Sequence, residues 1–332
     1  MKIAVDAMGG DFAPQEVVKG AISASREHGV GVILVGPEER LKAELGRHDL
    51  SGTNMEIVHT DEYLEEGEHP AFALRKKRNA SVILTAKLVR DGKAEAAVSA
   101  GPTGGVVASA LYVLGAIEGM SRPVIGGAFL GFAPETIVMD LGGNMDCRAD
   151  QLLDFAVVGT VYAREILDIP NPTVALLSVG TEEGKGNEVI NEAYSLFKES
   201  DLNFIGNVEG NDIPAGKANV IICDGLVGNI LVKYTEALGD TFAGWLRKKV
   251  GGRLPEDEIA AITHELAVAT NPTEAHGGGP LWAVDGAVCV THGRSKAAEI
   301  ARTIGQAKMV VERDMVGTLK KELASIRNKV AG

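Results

Sequence analysis

The sequence has 332 residues, 45% of them hydrophobic and 23% charged, which is enough for one large or two smaller globular domains with sizeable cores. Its 45 acidic against 33 basic residues give a formal charge of -12. That balance excludes the basic footprint nucleic acid requires, so no nucleic-acid partner is expected, yet it leaves room for a small anion in a local pocket of donors.

Short apolar runs rich in β-branched residues recur along the chain. They are Lys2–Val5, Val32–Val35, Met55–Val58, Ala96–Val98, Pro123–Ile125, Thr136–Met139, Thr173–Leu177, Val220–Ile222 and Val288–Val290. Amphipathic helical patterns separate most of them. This alternation predicts an α/β fold of three layers, a doubly wound, mostly parallel sheet covered on both faces. From Tyr234 to His276 the strand signals stop. Leu238, Phe242, Trp245 and Leu246 follow helical spacing, as do Ile259, Ile262 and Leu266. A break is expected at Val250-Gly251-Gly252, with Pro255 near the first turn of the second helix. The segment reads as a helical excursion, about 234–276, within a single α/β domain over 1–332. The start Met1-Lys2-Ile3-Ala4-Val5-Asp6 meets an acid before a signal-peptide core forms. No apolar stretch approaches the roughly 18 residues of a spanning helix. Cys147, Cys223 and Cys289 have neither CxxC spacing nor a paired framework. A cytoplasmic protein with free thiols is expected.

Ligands of open α/β sheets bind beyond the carboxyl ends of the strands. Here those ends share a composition, an acid, hydroxyl or amide followed by glycine. The first is Asp6-Ala7-Met8-Gly9-Gly10-Asp11; Ser99-Ala100-Gly101-Pro102-Thr103-Gly104-Gly105 opens a helix, and Asp140-Leu141-Gly142-Gly143-Asn144 follows. Ser178 to Asn187 contains Glu183-Gly184-Lys185-Gly186-Asn187. Asn207-Val208-Glu209-Gly210, Asp224-Gly225-Leu226-Val227-Gly228-Asn229 and Thr291-His292-Gly293 complete the set. Glycine lets backbone approach a ligand, and helix N-termini present unpaired N–H groups that suit a phosphate. Any one such turn is more often a plain strand-to-helix connection with a cap; seven of them point to a shared anion-binding rim. There is neither a G-x-x-x-x-G-K-[ST] loop nor a G-x-G-x-x-G fingerprint after the first strand. The acids are too dispersed for a carboxylate cage, and neither metal nor cofactor is expected.

Taken together, these strings resemble the acyl-acyl carrier protein:phosphate acyltransferase family over nearly the whole chain. The resemblance rests on Asp6–Asp11, Pro14, Ala73-Leu74-Arg75-Lys76-Lys77, Ser99-Ala100-Gly101-x-Thr103-Gly104 and Val161-Tyr162-Ala163-Arg164. It continues in Glu183-Gly184-Lys185-Gly186-Asn187-Glu188, Asn203 to Gly210, Cys223-Asp224-Gly225-x-x-Gly228-Asn229, Gly278-Gly279-Pro280-Leu281 and His292-Gly293. Three positions depart from the family pattern. Pro102 stands where an asparagine is usual, Gly143 where an alanine is usual, and Trp282-Ala283 follow Pro280-Leu281 where Leu-Gly is usual. The resemblance implies the fold of isocitrate and isopropylmalate dehydrogenases and of phosphotransacetylase, and a homodimer. It also implies transfer of a long-chain acyl group from acyl carrier protein to inorganic phosphate, giving acyl phosphate for phospholipid synthesis.

Thioester attack by phosphate asks mainly for positioning and for stabilisation of an oxyanion. On that chemistry Lys185, Asn229 and His292 are the catalytic candidates. The substrate-binding candidates are Asp6, Met8, Gly9, Gly10, Asp11, Ser99, Gly101, Thr103, Gly104, Asp140, Asn144, Glu183, Gly186, Asn187, Asn207, Glu209, Asp224, Gly225, Gly228, Gly278 and Gly279. Arg75 and Lys77, in the basic run Arg75-Lys76-Lys77-Arg78, are further candidates, for phosphate contact or for docking the acidic carrier protein; a solvated helix end is the plain alternative. Capping a turn is an equal reading for His292, and a surface lysine is the plain alternative for Lys185. Cys223 and Cys289, inside apolar runs, read as core packing. A phosphotransacetylase-like enzyme using acyl-coenzyme A and a non-catalytic phosphate- or acyl-binding protein are the rival readings. The apolar stripe of the excursion, with Arg247, Lys248, Lys249 and Arg253 beside it, suits either a partner subunit or weak peripheral contact at the inner face of the membrane.

Overall fold

The structure, a computed structural model, describes residues 1–65, 67, 68 and 76–330. In chain order the elements are β1 (Lys2–Asp6), α1 (Gln15–His28), β2 (Gly31–Gly36), α2 (Glu38–Leu45), β3 (Asn54–His59), α3 (Ser81–Arg90), β4 (Ala96–Ser99) and α4 (Thr103–Val113). Next come β5 (Val124–Ala128), β6 (Ile137–Met139), α5 (Ala149–Glu165), β7 (Val174–Leu177), α6 (Glu188–Glu199), β8 (Phe204–Val208) and β9 (Val220–Ile222). The chain continues through α7 (Gly225–Val250), α8 (Glu256–Thr270), α9 (Pro272–His276), β10 (Gly278–Trp282), β11 (Ala287–Thr291), α10 (Ala297–Glu312) and α11 (Met315–Val330).

Chain contacts group these elements into two compact units. The first comprises Met1–Pro123 and His276–Lys320. Its strands lie in the order β3-β2-β1-β4-β11-β10. All are parallel except β10, which runs antiparallel to β11 with Gly278 opposite Thr291. Ile3, Ala4 and Val5 of β1 and every residue of β2 are buried, as expected of parallel strands covered on both faces. Ala4, Ile33, Val35, Leu88 and Ala94 form part of this core. Helix α1 packs chiefly on α10. Gly20 permits the close approach, because a Cβ there would sit 2.7 Å from the Ala297 carbonyl oxygen.

The second unit comprises Val124–Ala275 and the chain from Lys321 onward. Its strand order is β5-β6-β9-β7-β8, parallel apart from β5 against β6. Phe129, Val138, Ala175, Val208, Ile221 and Cys223 pack in one core cluster. Helix α7 ends in Arg247, Lys248 and Lys249, and α8 starts with Glu256, Asp257 and Glu258. Both sets complement the helix dipoles, and Arg247 pairs with Glu256 at 3.2 Å. Among the described residues no helix is long and apolar enough to cross a membrane.

The mostly parallel α/β architecture and the helical excursion are present. Three features differ from the sequence reading. β8 lacks a continuous apolar run because Gly206, at a φ of 95°, and Asn207 interrupt it. β10 opens Gly278-Gly279-Pro280, residues that depress a strand signal. Helix α7 begins at Gly225, inside the stretch read as a turn, because Gly225 and Gly228 are poor helix formers.

Candidate active site

In the first unit, the chain leaving β1 turns sharply over the end of β4. Asp6 is buried, and its Oδ2 accepts the Ser99 hydroxyl at 2.7 Å while Oδ1 accepts the Met8 N–H at 3.2 Å. Ser81, the first residue of α3, adds a side-chain hydrogen bond to the same carboxyl. Burial raises the Asp6 pKa above its ordinary value, and these hydrogen bonds work against the rise. The Ser99 oxygen in turn accepts the Gly101 N–H at 3.0 Å. Gly9 is required here, since a Cβ would lie 2.6 Å from the Gly101 nitrogen.

The loop after β11 joins this cluster. The Asp11 N–H donates to the Gly293 carbonyl at 2.8 Å, and Gly10, at a φ of 99°, lies against the same carbonyl. The structure therefore brings together Asp6, Met8, Gly9, Gly10, Asp11, Ser99 and Gly101 beside Gly293 and half-buried His292. Gly278 and Gly279 pair with Thr291 and Val290, directly before His292 in sequence. Thr103 and Gly104 are exposed in the first turn of α4. Lys77 is engaged elsewhere. Its Nζ donates to the Tyr63 carbonyl at 2.9 Å and pairs with Glu68 at 2.6 Å. Arg75 lies outside the described residues.

A second cluster of the same design stands at the end of β6. Asp140 is fully buried. Its Oδ1 accepts the N–H groups of Gly143 at 2.9 Å, Gly142 at 3.2 Å and Ile125 at 3.3 Å, and its Oδ2 accepts the Asn144 amide at 2.8 Å. Burial again raises the carboxyl pKa, with these donors opposing the rise. Helix α7 starts against this turn. Asp224 caps it by accepting the Val227 N–H at 2.8 Å, and the Gly225 N–H donates to the Asn144 carbonyl at 2.7 Å. A side chain at Gly228 would collide with the Asp140 carbonyl. Asn229 is exposed and its side chain lies over Gly142. Burial and the neighbouring Asp140 and Asp224 push the Cys223 thiol well up, and in the first unit burial pushes Cys289 up to about 12. Neither supplies a thiolate nucleophile near neutral pH.

The third group forms the loop after β7. The Ser178 hydroxyl donates to the Lys185 carbonyl at 3.1 Å, and the Asn207 amide donates to the Glu182 carbonyl at 3.1 Å. Gly186 has a φ of 110°, and Asn187 caps α6 by accepting the Ile190 N–H at 2.9 Å. Glu183 pairs with Lys198 at 3.2 Å. Lys185 is exposed, and its ammonium group has no ion-pair partner among the described residues. Glu209 stands apart from this loop, its N–H donating to Asp212 Oδ2 at 2.9 Å. Ser81 and Ser178 had no place among the sequence candidates. Ser178 had a signal, as the hydroxyl immediately after a strand; Ser81 had none, since it reaches Asp6 from 75 positions away.

Across these turns the buried acids face inward and are occupied by the loops' own donors. The exposed polar side chains beside them are Thr103 in the first unit and Asn229 and Lys185 in the second. The first turn of α4 suits an anion, and Asn229 and Lys185 are groups that suit the negative charge of an oxyanion.

Solved structures with this fold include a phosphotransacetylase from Streptococcus pyogenes, with a TM-score of 0.63 and 20% identity over 96% of this chain and 94% of that one. Another is a phosphotransacetylase from Staphylococcus aureus, with a TM-score of 0.58 and 19% identity over 93% and 94%. The fold is thus that of the phosphotransacetylase-like α/β proteins. A family model described as fatty acid synthesis protein matches residues 1–317, and the chain belongs to that family. A phosphate acyltransferase of Pelotomaculum thermopropionicum is 42% identical over 100% of this chain and 98% of its own. One of Dictyoglomus turgidum is 42% identical over 94% of each. The chain is an acyltransferase.

Proposed function

We propose that this protein transfers a long-chain fatty acyl group from acyl carrier protein to inorganic phosphate, releasing acyl phosphate and the carrier thiol. The observation that carries the reading is the exposure of Thr103, Asn229 and Lys185 at strand-end turns ordered by buried acids, in a chain whose full-length relatives are phosphate acyltransferases. Direct displacement suits the chemistry. Phosphate dianion is already nucleophilic near pH 7, and a thiol of pKa about 8.5 departs without strong acid assistance. Thr103 and the first N–H groups of α4 hold phosphate in this scheme, and Ser99, bonded to Asp6 and Gly101, orders the turn that leads into them. Lys185 and Asn229 balance charge developing on the oxyanion, and His292 donates a hydrogen bond or a proton to the departing sulfur. A homodimer in the cytoplasm with weak, reversible contact at the inner face of the membrane completes the proposal. It is supported by the exposed Phe242 and Trp245 beside the basic end of α7.

The test is incubation with palmitoyl-acyl carrier protein while free thiol is followed. Release is expected only with phosphate present, with the product trapped as a hydroxamate by hydroxylamine. Equal release without phosphate marks a hydrolase. Equal use of palmitoyl-coenzyme A favours the phosphotransacetylase-like alternative.

A further inference from the structure

The first turns of α7 carry an apolar surface that neither the core of their unit nor the polar turn accounts for. Leu226 is 52% exposed, Ile230 57% and Tyr234 63%. They recur every four residues, so they form one ridge along the helix. Val227 and Met145 are exposed beside its start. The ridge begins where α7 is seated on the Asp140 turn, through the Gly225 N–H bond to the Asn144 carbonyl and the contact of Asn229 with Gly142. A polar, donor-bearing turn thus runs without interruption into a linear apolar row.

We infer that this row, Leu226, Ile230 and Tyr234 with Met145 and Val227 at its head, is the seat of the substrate's acyl tail and sets chain-length preference. The inference rests on the acyl-transfer reading above. Two observations select a hydrocarbon chain as the occupant. The row starts beside Asn229, which is proposed to balance charge on the oxyanion and lies over Gly142, and the tail of a bound thioester must leave from there. Its length also fits, since eight residues of helix span about 12 Å and one acyl chain fills half of a roughly 30 Å bilayer core, about 15 Å. A chain lying there covers exposed carbon, and each added methylene removes further apolar area from water.

The experiment compares kcat/KM for palmitoyl- and butyryl-acyl carrier protein, each with phosphate, in wild type, Ile230→Ser, Tyr234→Ser and Ile230→Leu. The serine variants are expected to lower the palmitoyl-to-butyryl ratio about tenfold, while Ile230→Leu keeps the wild-type ratio. These side chains are exposed, so folding is expected to survive, and circular dichroism with sedimentation checks it. An unchanged ratio in the serine variants overturns the inference while leaving the acyl-transfer reading intact. So does an equal loss on both donors with dissociation of a dimer, which assigns the ridge to a second copy of the chain. Loss of vesicle binding at an unchanged ratio overturns it in favour of a lipid surface. A wild type without phosphate-dependent thiol release overturns both readings.

Discussion

Lys185 and Lys198 leave the same neighbourhood with different fates. Lys198 is neutralised by Glu183, whereas Lys185 has no ion-pair partner among the described residues and sits on a loop fixed by Ser178, Gly186 and Asn187. A cation held on an ordered loop stabilises developing charge with little reorganisation. Lys185→Ala is therefore expected to cut turnover by about 10²-fold or more, measured as phosphate-dependent thiol release. Near-normal turnover returns it to the ordinary surface lysines. Asp6 works in the opposite sense, as a buried acid whose pKa is raised from the ordinary 3.8. Its carboxyl binds a proton more tightly in the folded chain than in the unfolded one. The stability it contributes is present below 3.8 and is lost as pH rises through the higher folded value. In Asp6→Asn that loss is absent. Urea unfolding at successive pH values is expected to show the variant gaining on wild type from about pH 4 toward pH 7. Parallel profiles would mean that the carboxyl ionises as readily folded as unfolded.

At the scale of elements, α7 divides the labour along its length. Its glycine-containing start is seated on the Asp140 turn, and its far end exposes Phe242 at 49% and Trp245 at 56% near Arg247, Lys248 and Lys249. The Lys249 ammonium lies 5.9 Å from the Trp245 ring centre, a cation–π arrangement that keeps the aromatic beside positive charge. Glu256, Asp257 and Glu258 at the start of α8 offset that charge, which is why the contact with anionic lipid proposed above is a weak one. Flotation with anionic vesicles is expected to be partial for wild type and lost in Trp245→Glu, with sedimentation reporting the proposed dimer for both. A monomeric Trp245→Glu protein would instead assign this end to the partner subunit. Elements were legible in the sequence in proportion to their burial. β1, β2, β9 and β11 are covered on both faces and read as plain apolar runs. β8 and β10 owe their pairing to neighbouring strands, a tertiary effect that their own glycines conceal. The start of α7 was hidden in the same way, because contact with Asn144 and Asp140 demands the two glycines that erase its helical signal.

For the whole molecule, alternation of apolar runs and helices was enough to give the architecture, and the strand-end composition marked where polar groups gather. The sequence could not give direction. Asp6 and Asp140 read as residues for a ligand, while in the structure their carboxyl groups accept hydrogen bonds from their own loops. Nor does a linear string reveal Ser81 meeting Asp6, or Gly293 meeting Asp11. The three cysteines show what such placement means for anyone handling the protein. Cys223 and Cys289 are buried and held protonated, whereas Cys147 is half-buried, with its Sγ 3.6 Å from the Asn144 carbonyl. The natural chain thus carries its own attachment point: a maleimide dye would mark a position three residues from Asn144, beside the turn on which α7 rests, and report on that turn without an engineered residue.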